Sequence, residues 1–261
     1  MSRCWAHSLG GCDQMSGEHV FSNAVLSHGC SCPVVIEGVS RIRGGQPTRN
    51  AEKANILCRH HNSLLSPLDE TAGRVAGWMA AANDESFDKW LYIDGEKLQR
   101  WLLKTVVNAA AAGWAGSRKW RPAPQIVSAI YGESEVPNGL GLYAVDGIDP
   151  DFLAQGTVSM TPLIGQKPGD PQLLGAYVGL HGLALLCAFY DGLVHRLEAG
   201  EIAELTGRFS NDGLRHQYRP GGIINTRKLG KPVALGLSWG GIFRFADGTA
   251  SSSPPASGWN A

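Results

Sequence analysis

Five of the six cysteines fall within the first 58 residues: Cys4, Cys12, Cys30, Cys32 and Cys58, with Cys187 alone beyond them. This stretch holds few large apolar residues, so burial alone is a weak account of how it stays folded. Thiols this dense either pair as disulfides or hold metal. Met1-Ser2-Arg3-Cys4-Trp5 lacks the apolar core of a secretory signal. A reducing, cytoplasmic setting is therefore expected, and with it metal rather than disulfides. Cys58 and His61 have the Cys-x2-His spacing of a zinc knuckle, in which one tight turn sets both side chains on one ion. Cys4 and Cys12, joined across Gly10-Gly11, supply two further soft ligands. The four together suffice for a closed tetrahedral site holding a structural Zn²⁺. His7, at Cys4-x2-His spacing, and Cys30 and Cys32 stand as alternative ligands.

The chain is 261 residues long, 43% hydrophobic and 18% charged, which excludes a disordered polypeptide. Lys+Arg 23 balance Asp+Glu 23, so no global field draws the protein to nucleic acid or anionic lipid, and any such surface must be local. With 34 glycines and 14 prolines, short elements and many turns are expected rather than a helical bundle. Residues 33–39 and 54–57 read as short strands, the second running into Cys58. Leu68, Ala72, Val75, Trp78 and Met79 repeat at helical spacing, with Ser66 as cap and Pro67 in the first turn. A second helix follows Asp94-Gly95, its stripe made by Leu98, Trp101, Leu102, Thr105 and Val106, and a short third helix is expected over 123–131.

Beyond Gly139 the runs 142–145, 157–161, 173–180, 183–190, 222–224 and 233–238 predict an antiparallel sheet, with a helix over 198–205 and a Ser/Pro-rich tail over 251–257. Residues 171–190 carry no charge and are long enough to span a bilayer. The interruptions at Gly175, Gly179 and His181-Gly182 favour two buried strands over a membrane span. The fold class expected is α+β, with a cysteine-rich domain over 1–83 and an α+β region over 84–261. The tryptophans at 78, 90, 101, 114 and 120 read as packing, His181 as a core histidine and Cys187 as an inert buried thiol.

Paired cysteines, then Glu18-His19, then a strand entering Cys58-Arg59-His60-His61-Asn62 resemble an HNH endonuclease with a zinc-stapled ββα-metal module. The resemblance covers roughly the first 75 residues. It implies that a hairpin and a helix grip a divalent cation beside a catalytic histidine. His19 would be the general base and Asn62 the residue orienting it. Glu18 and Asp69 would bind a catalytic Mg²⁺ or Mn²⁺, Asp69 standing where the family usually has His or Asn. The partner implied is nucleic acid, DNA first, in a defence or mobile-element setting, with no membrane association. Oligomer or protein contacts would fall to residues 84–261. The chemistry needs such residues: an imidazole takes a proton from water, and a hard cation neutralises charge on the phosphate.

The rival expectation is a zinc-stapled binding module with an inactive HNH-like core. Asn62 could merely cap the next helix, and Asp69 could serve its dipole. Two basic segments could meet phosphate: Arg41, Arg43 and Arg49 between the metal-binding stretches, and Arg208, Arg215, Arg219, Arg227, Lys228 and Lys231, with His216 and Tyr218 among them.

Overall fold

The computed structural model of the protein describes residues 4–27, 34–36, 53–81, 90–114, 120–146, 158–167, 170–190, 192–198, 215–225, 233–244 and 249–253. Arg41, Arg43, Arg49, Cys30, Cys32, most of the run 198–205 and the end of the Ser/Pro-rich tail lie outside them.

The cysteine-rich region opens with a single 3-10 turn, His7–Leu9. Strand β1 (Met15–His19) and the one-turn helix α1 (Asn23–Leu26) follow, then β2 (Val34–Ile36). β3 (Lys53–Cys58) pairs antiparallel with β1, Met15 opposite Cys58 and His19 opposite Lys53, with an irregularity between Ser16 and Glu18. β3 runs directly into α2 (Arg59–Leu64), and α3 (Ser66–Ala81) completes this end of the molecule. The helical spacing read from Leu68 to Met79 is the face α3 buries. Gly73 lets α1 lie against α3: a Cβ there would come 2.9 Å from that of Ala24.

β4 (Trp90–Asp94) leads into α4 (Gly95–Ala111), whose N-cap Asp94 accepts from the Lys97 backbone N–H at 3.1 Å. α4 is buried nearly all round and is the hub of the fold, touching α3, α5 and strands of both larger sheets. At its start a Cβ on Gly95 would meet the Ser238 carbonyl oxygen at 2.8 Å, so glycine sets how closely the helix approaches the sheet. α5 (Pro124–Tyr131) starts on proline and stops at Gly132 in the left-handed region, φ 80°.

The remaining elements are β5 (Gly141–Asp146), β6 (Val158–Lys167), β7 (Asp170–Leu180), β8 (Leu183–Ala188), α6 (Leu193–Glu198), β9 (Arg215–Tyr218), β10 (Gly222–Asn225), β11 (Val233–Trp239), β12 (Ile242–Arg244) and β13 (Ala250–Ser251). They form two sheets rather than the one expected. The first has the order β2-β6-β7-β8-β5-β9; the second runs β10-β11-β12-β13, with β4 added on β11. Each is antiparallel except at one pair, β2 with β6 and β4 with β11, where a distant segment joins in parallel.

The uncharged run 171–190 is the β7–β8 hairpin, turning on His181 (φ 49°) and Gly182 (φ 97°). Two residues with positive φ make the two-residue turn that matches strand twist. Both faces of this hairpin are buried. Leu183, Leu185 and Cys187 face the main core; Ala184, Leu186 and Ala188 face a second cluster under α6. A strand buried on both sides reads as a continuous apolar run, which is why it resembles a membrane segment. No helix among the described residues is long and apolar enough to cross a membrane.

Residues on both sides of position 83 share one core. One hydrophobic cluster runs from Cys4 and Trp5 through Met79, Trp101 and Leu142 to Leu237.

Candidate metal centre and adjoining pocket

Cys58 is both the last residue of β3 and the N-cap of α2, with extended backbone (φ −82°, ψ 164°). A cap side chain turns back over the first helical turn. Here the Cys58 Sγ accepts from the His61 backbone N–H at 3.5 Å and lies 3.1 Å from the His61 Nδ1. The spacing therefore works as the sequence suggests: cap and third helical residue face one point. Cys4 and Cys12 reach the same point, their sulfurs 3.4 and 3.5 Å from that nitrogen. Gly10 (φ 77°) and Gly11 (φ 62°) turn the chain between them. The segment is fastened to β3 and α2 by the Trp5 N–H on the Ile56 carbonyl (3.0 Å), the Arg59 N–H on the Gln14 carbonyl (2.8 Å) and the His60 N–H on the Asp13 carboxylate (3.0 Å).

The four ligand atoms all lie within 4.8 Å of one another. Zinc with Zn–S of about 2.3 Å and Zn–N of about 2.0 Å has sulfur–nitrogen edges of about 3.5 Å, near the 3.1–3.5 Å that separate the three sulfurs from the His61 nitrogen. The cluster could thus bind a metal ion such as zinc. Its electrostatics agree. Burial, with the neighbouring thiols adding to it, pushes the Cys4 thiol up to about 12. A cation at this point would displace the proton that burial holds on Cys4. Burial also holds His61 below the ordinary imidazole value, keeping it in its neutral, ligating form. Tyr131 of α5 donates to the His61 carbonyl at 3.1 Å and meets its ring edge-on. His7 is exposed, its Nδ1 3.2 Å from the Cys4 carbonyl oxygen and outside the cluster.

Next to this centre lies a pocket of about 330 Å³, and Glu18, His19, Asn62 and Asp69 all line it. β1 brings the first two, α2 the third and α3 the fourth. Adjacent strand residues normally face opposite sides; the irregularity before Glu18 and the end of β1 at His19 relax that alternation. Arg59 and Ser16 also line the pocket. Burial lowers His19 below the usual imidazole range, and the nearby Lys53 and Lys104 cations add to this. Burial raises the Glu18 carboxyl, against the pull of Lys104.

The sequence reading did not single out Lys104. It is fully buried in α4, its Nζ 2.9 Å from Glu18 Oε1 and 2.7 and 2.8 Å from the two Asp69 oxygens. A buried ammonium is strongly disfavoured unless paired, and these carboxylates pair it. Three helical positions on one face, Trp101, Lys104 and Asn108, grip the segment carrying Glu18 and His19. Trp101 Nε1 donates to Ser22 Oγ at 2.6 Å, and Asn108 Nδ2 to the His19 carbonyl at 3.4 Å. The signal was present: a lysine and an asparagine beside an apolar helical stripe need buried partners.

The resemblance implies a divalent cation held by Glu18 and Asp69. The donor set does not fit one while Lys104 stands, because three of the four carboxylate oxygens that would ligate it are bonded to the ammonium. The basic segment near the C-terminus is likewise partly spent inside the fold. Arg219 bonds Gln99 and the Val136 carbonyl and stacks on Tyr218 and Trp239, and His216 meets the Tyr177 hydroxyl at 3.0 Å. Arg208, Arg227, Lys228 and Lys231 lie outside the described residues.

No family model, curated protein or solved structure matches this chain.

Proposed function

We propose that the protein is an HNH-type endonuclease that hydrolyses phosphodiester bonds in DNA, its catalytic segment stapled by Zn²⁺ on Cys4, Cys12, Cys58 and His61. One observation carries this reading: His19 and Asn62, from different elements, line one pocket directly beside the Cys58–His61 knuckle. An antiparallel strand pair running into a helix, with the cysteines at its base, is also the arrangement a ββα-metal module requires.

Neutral His19 takes a proton from a water molecule, whose oxygen attacks the phosphorus. The sugar oxygen leaves with the electron pair of the broken P–O bond and is protonated from solvent. A base so placed contributes a factor of about 10²–10⁴ in rate. Asn62 orients the reacting groups, and Arg59 at the pocket supplies positive charge to the phosphate. Zinc at the four-ligand site would contribute folding free energy and leave no open position for substrate. Residues 84–261 would provide substrate choice and any protein or oligomer contacts.

Lys104 favours a second reading, a zinc-stapled binding module without hydrolytic activity, because its ammonium occupies the carboxylates that a nuclease would give to a catalytic cation. Nicking of supercoiled plasmid by the zinc-loaded protein, with and without added Mg²⁺ or Mn²⁺, separates the two. The nuclease reading expects nicking by wild type and none by His19→Ala at unchanged zinc content. Equal nicking by the mutant eliminates His19 as base; DNA retention with no nicking by either leaves the binding module.

A further inference from the structure

Lys104 stands at the centre of α4 between Leu103 and Thr105, all three fully buried. The side chain is shut off from solvent, its ammonium lying behind the two carboxylates that line the pocket. An ammonium has three N–H donors. Three carboxylate oxygens lie within 2.9 Å of this one: Glu18 Oε1, Asp69 Oδ1 and Asp69 Oδ2. Donors and acceptors match in number, and the cluster is complete as it stands.

We infer that Lys104 is a resident cation, taking the place a divalent ion would take between Glu18 and Asp69, so that this pair binds no Mg²⁺ or Mn²⁺ while the lysine is present. A divalent ion sharing those oxygens would lie within a few ångströms of the ammonium, where like charges repel strongly in a water-poor site. It would also need several waters or oxygens around it in octahedral array, whereas Asp69 has both oxygens engaged and Glu18 is buried. Lys104 is in this sense a positioning residue: it fixes the two carboxylates at the pocket wall and touches no substrate. The inference goes beyond the nuclease reading and stands without it.

The test uses the zinc-loaded full chain and Mn²⁺ as the probe, followed by the loss of the free Mn²⁺ electron paramagnetic resonance signal and by melting temperature. Wild type is expected to bind no Mn²⁺ that Asp69→Asn removes, and to melt at the same temperature with or without millimolar Mn²⁺. Lys104→Met is expected to bind one Mn²⁺, to melt several degrees higher with it, and to lose both effects when Asp69→Asn is added. A wild-type Mn²⁺ ion lost in Asp69→Asn overturns the proposal, as does a folded Lys104→Met that binds none. Should Lys104→Met not fold, the comparison of wild type with Asp69→Asn decides alone. None of these readouts involves turnover. Protein that excludes Mn²⁺ and never nicks DNA ends the nuclease reading but not this one; protein that binds Mn²⁺ through Asp69 does the reverse.

Discussion

Trp5 donates its indole N–H to Asn108 Oδ1 at 2.9 Å, and the same Asn108 side chain donates to the His19 carbonyl. One buried amide thereby joins the cysteine-bearing N-terminal segment, the strand that carries His19 and the central helix. The cysteine-rich end is held by the rest of the chain as well as by any metal.

Asn108→Leu should therefore destabilise the protein by about 1–3 kcal/mol, since it strips a hydrogen-bond partner from the buried indole N–H and from the His19 carbonyl. Chemical denaturation gives the magnitude, and zinc release to a chelator should quicken in parallel. A variant as stable as wild type would mean that the indole and the carbonyl find other partners.

The metal centre makes a sharper claim. Cys58→Ser removes the ligand that also caps α2, so zinc content should fall and the melting temperature with it. Cys12→Ser, at the exposed ligand, should lose zinc with a smaller effect on packing. His7→Ala should leave both unchanged, because its ring lies outside the cluster. Metal analysis of the purified variants, paired with thermal melts, checks all three; full stability after complete zinc loss would remove the staple from the account.

How far these features could be read in advance depends on the range of the interaction. Cys58-x2-His61, the face of α3, the helix start after Asp94-Gly95 and the turn at His181-Gly182 are local. Each is written in residues a few positions apart, and each lies where the sequence indicates. The parallel pairings of Val34 with Val158 and of Trp90 with Ala234 are not, because no local pattern names a strand's distant neighbour. Lys104 failed for a related reason. Its apolar surroundings were legible, but its partners Glu18 and Asp69 lie on other elements. Charge pairing across that distance leaves no periodic trace. Glu18 and Asp69, expected to hold a divalent cation, line the same pocket as His19 and pair with the cation the chain itself supplies.

The pH dependence of nicking follows from His19. Its folded value lies below the ordinary 6.5, with burial as the first cause. The neutral base is then the dominant form at and above 6.5, and activity should fall only as pH drops below that. The same shift has a stability consequence. The unfolded chain takes up the proton first, so the contribution of His19 is present above its ordinary value and is lost as pH falls through the depressed one. Nicking rates across the acid range, with zinc content followed at each point, test this. An acid limb centred above 6.5 at constant zinc would contradict the assignment of His19 as base.

The last expectation concerns the charge cluster in the unfolding equilibrium. Lys104→Met should cost about 3–5 kcal/mol at neutral pH, the usual penalty for stripping one partner from a buried ion pair. What remains is two carboxylates side by side, one already pushed above its usual range by burial. Without the ammonium the Glu18 value rises further, since burial and the Asp69 charge are then opposed only by the hydrogen bond to Asn62. A carboxyl raised in the folded state binds its proton more tightly there than in the unfolded chain. Its contribution to stability is present at acid pH and is lost as pH climbs through the raised value. The deficit of Lys104→Met relative to wild type should therefore shrink as pH is lowered toward the carboxyl range and widen again near neutrality. Urea denaturation of the two proteins at several pH values measures it. A deficit independent of pH would mean that the lysine stem, by filling space in the α4 interface, matters more than its charge.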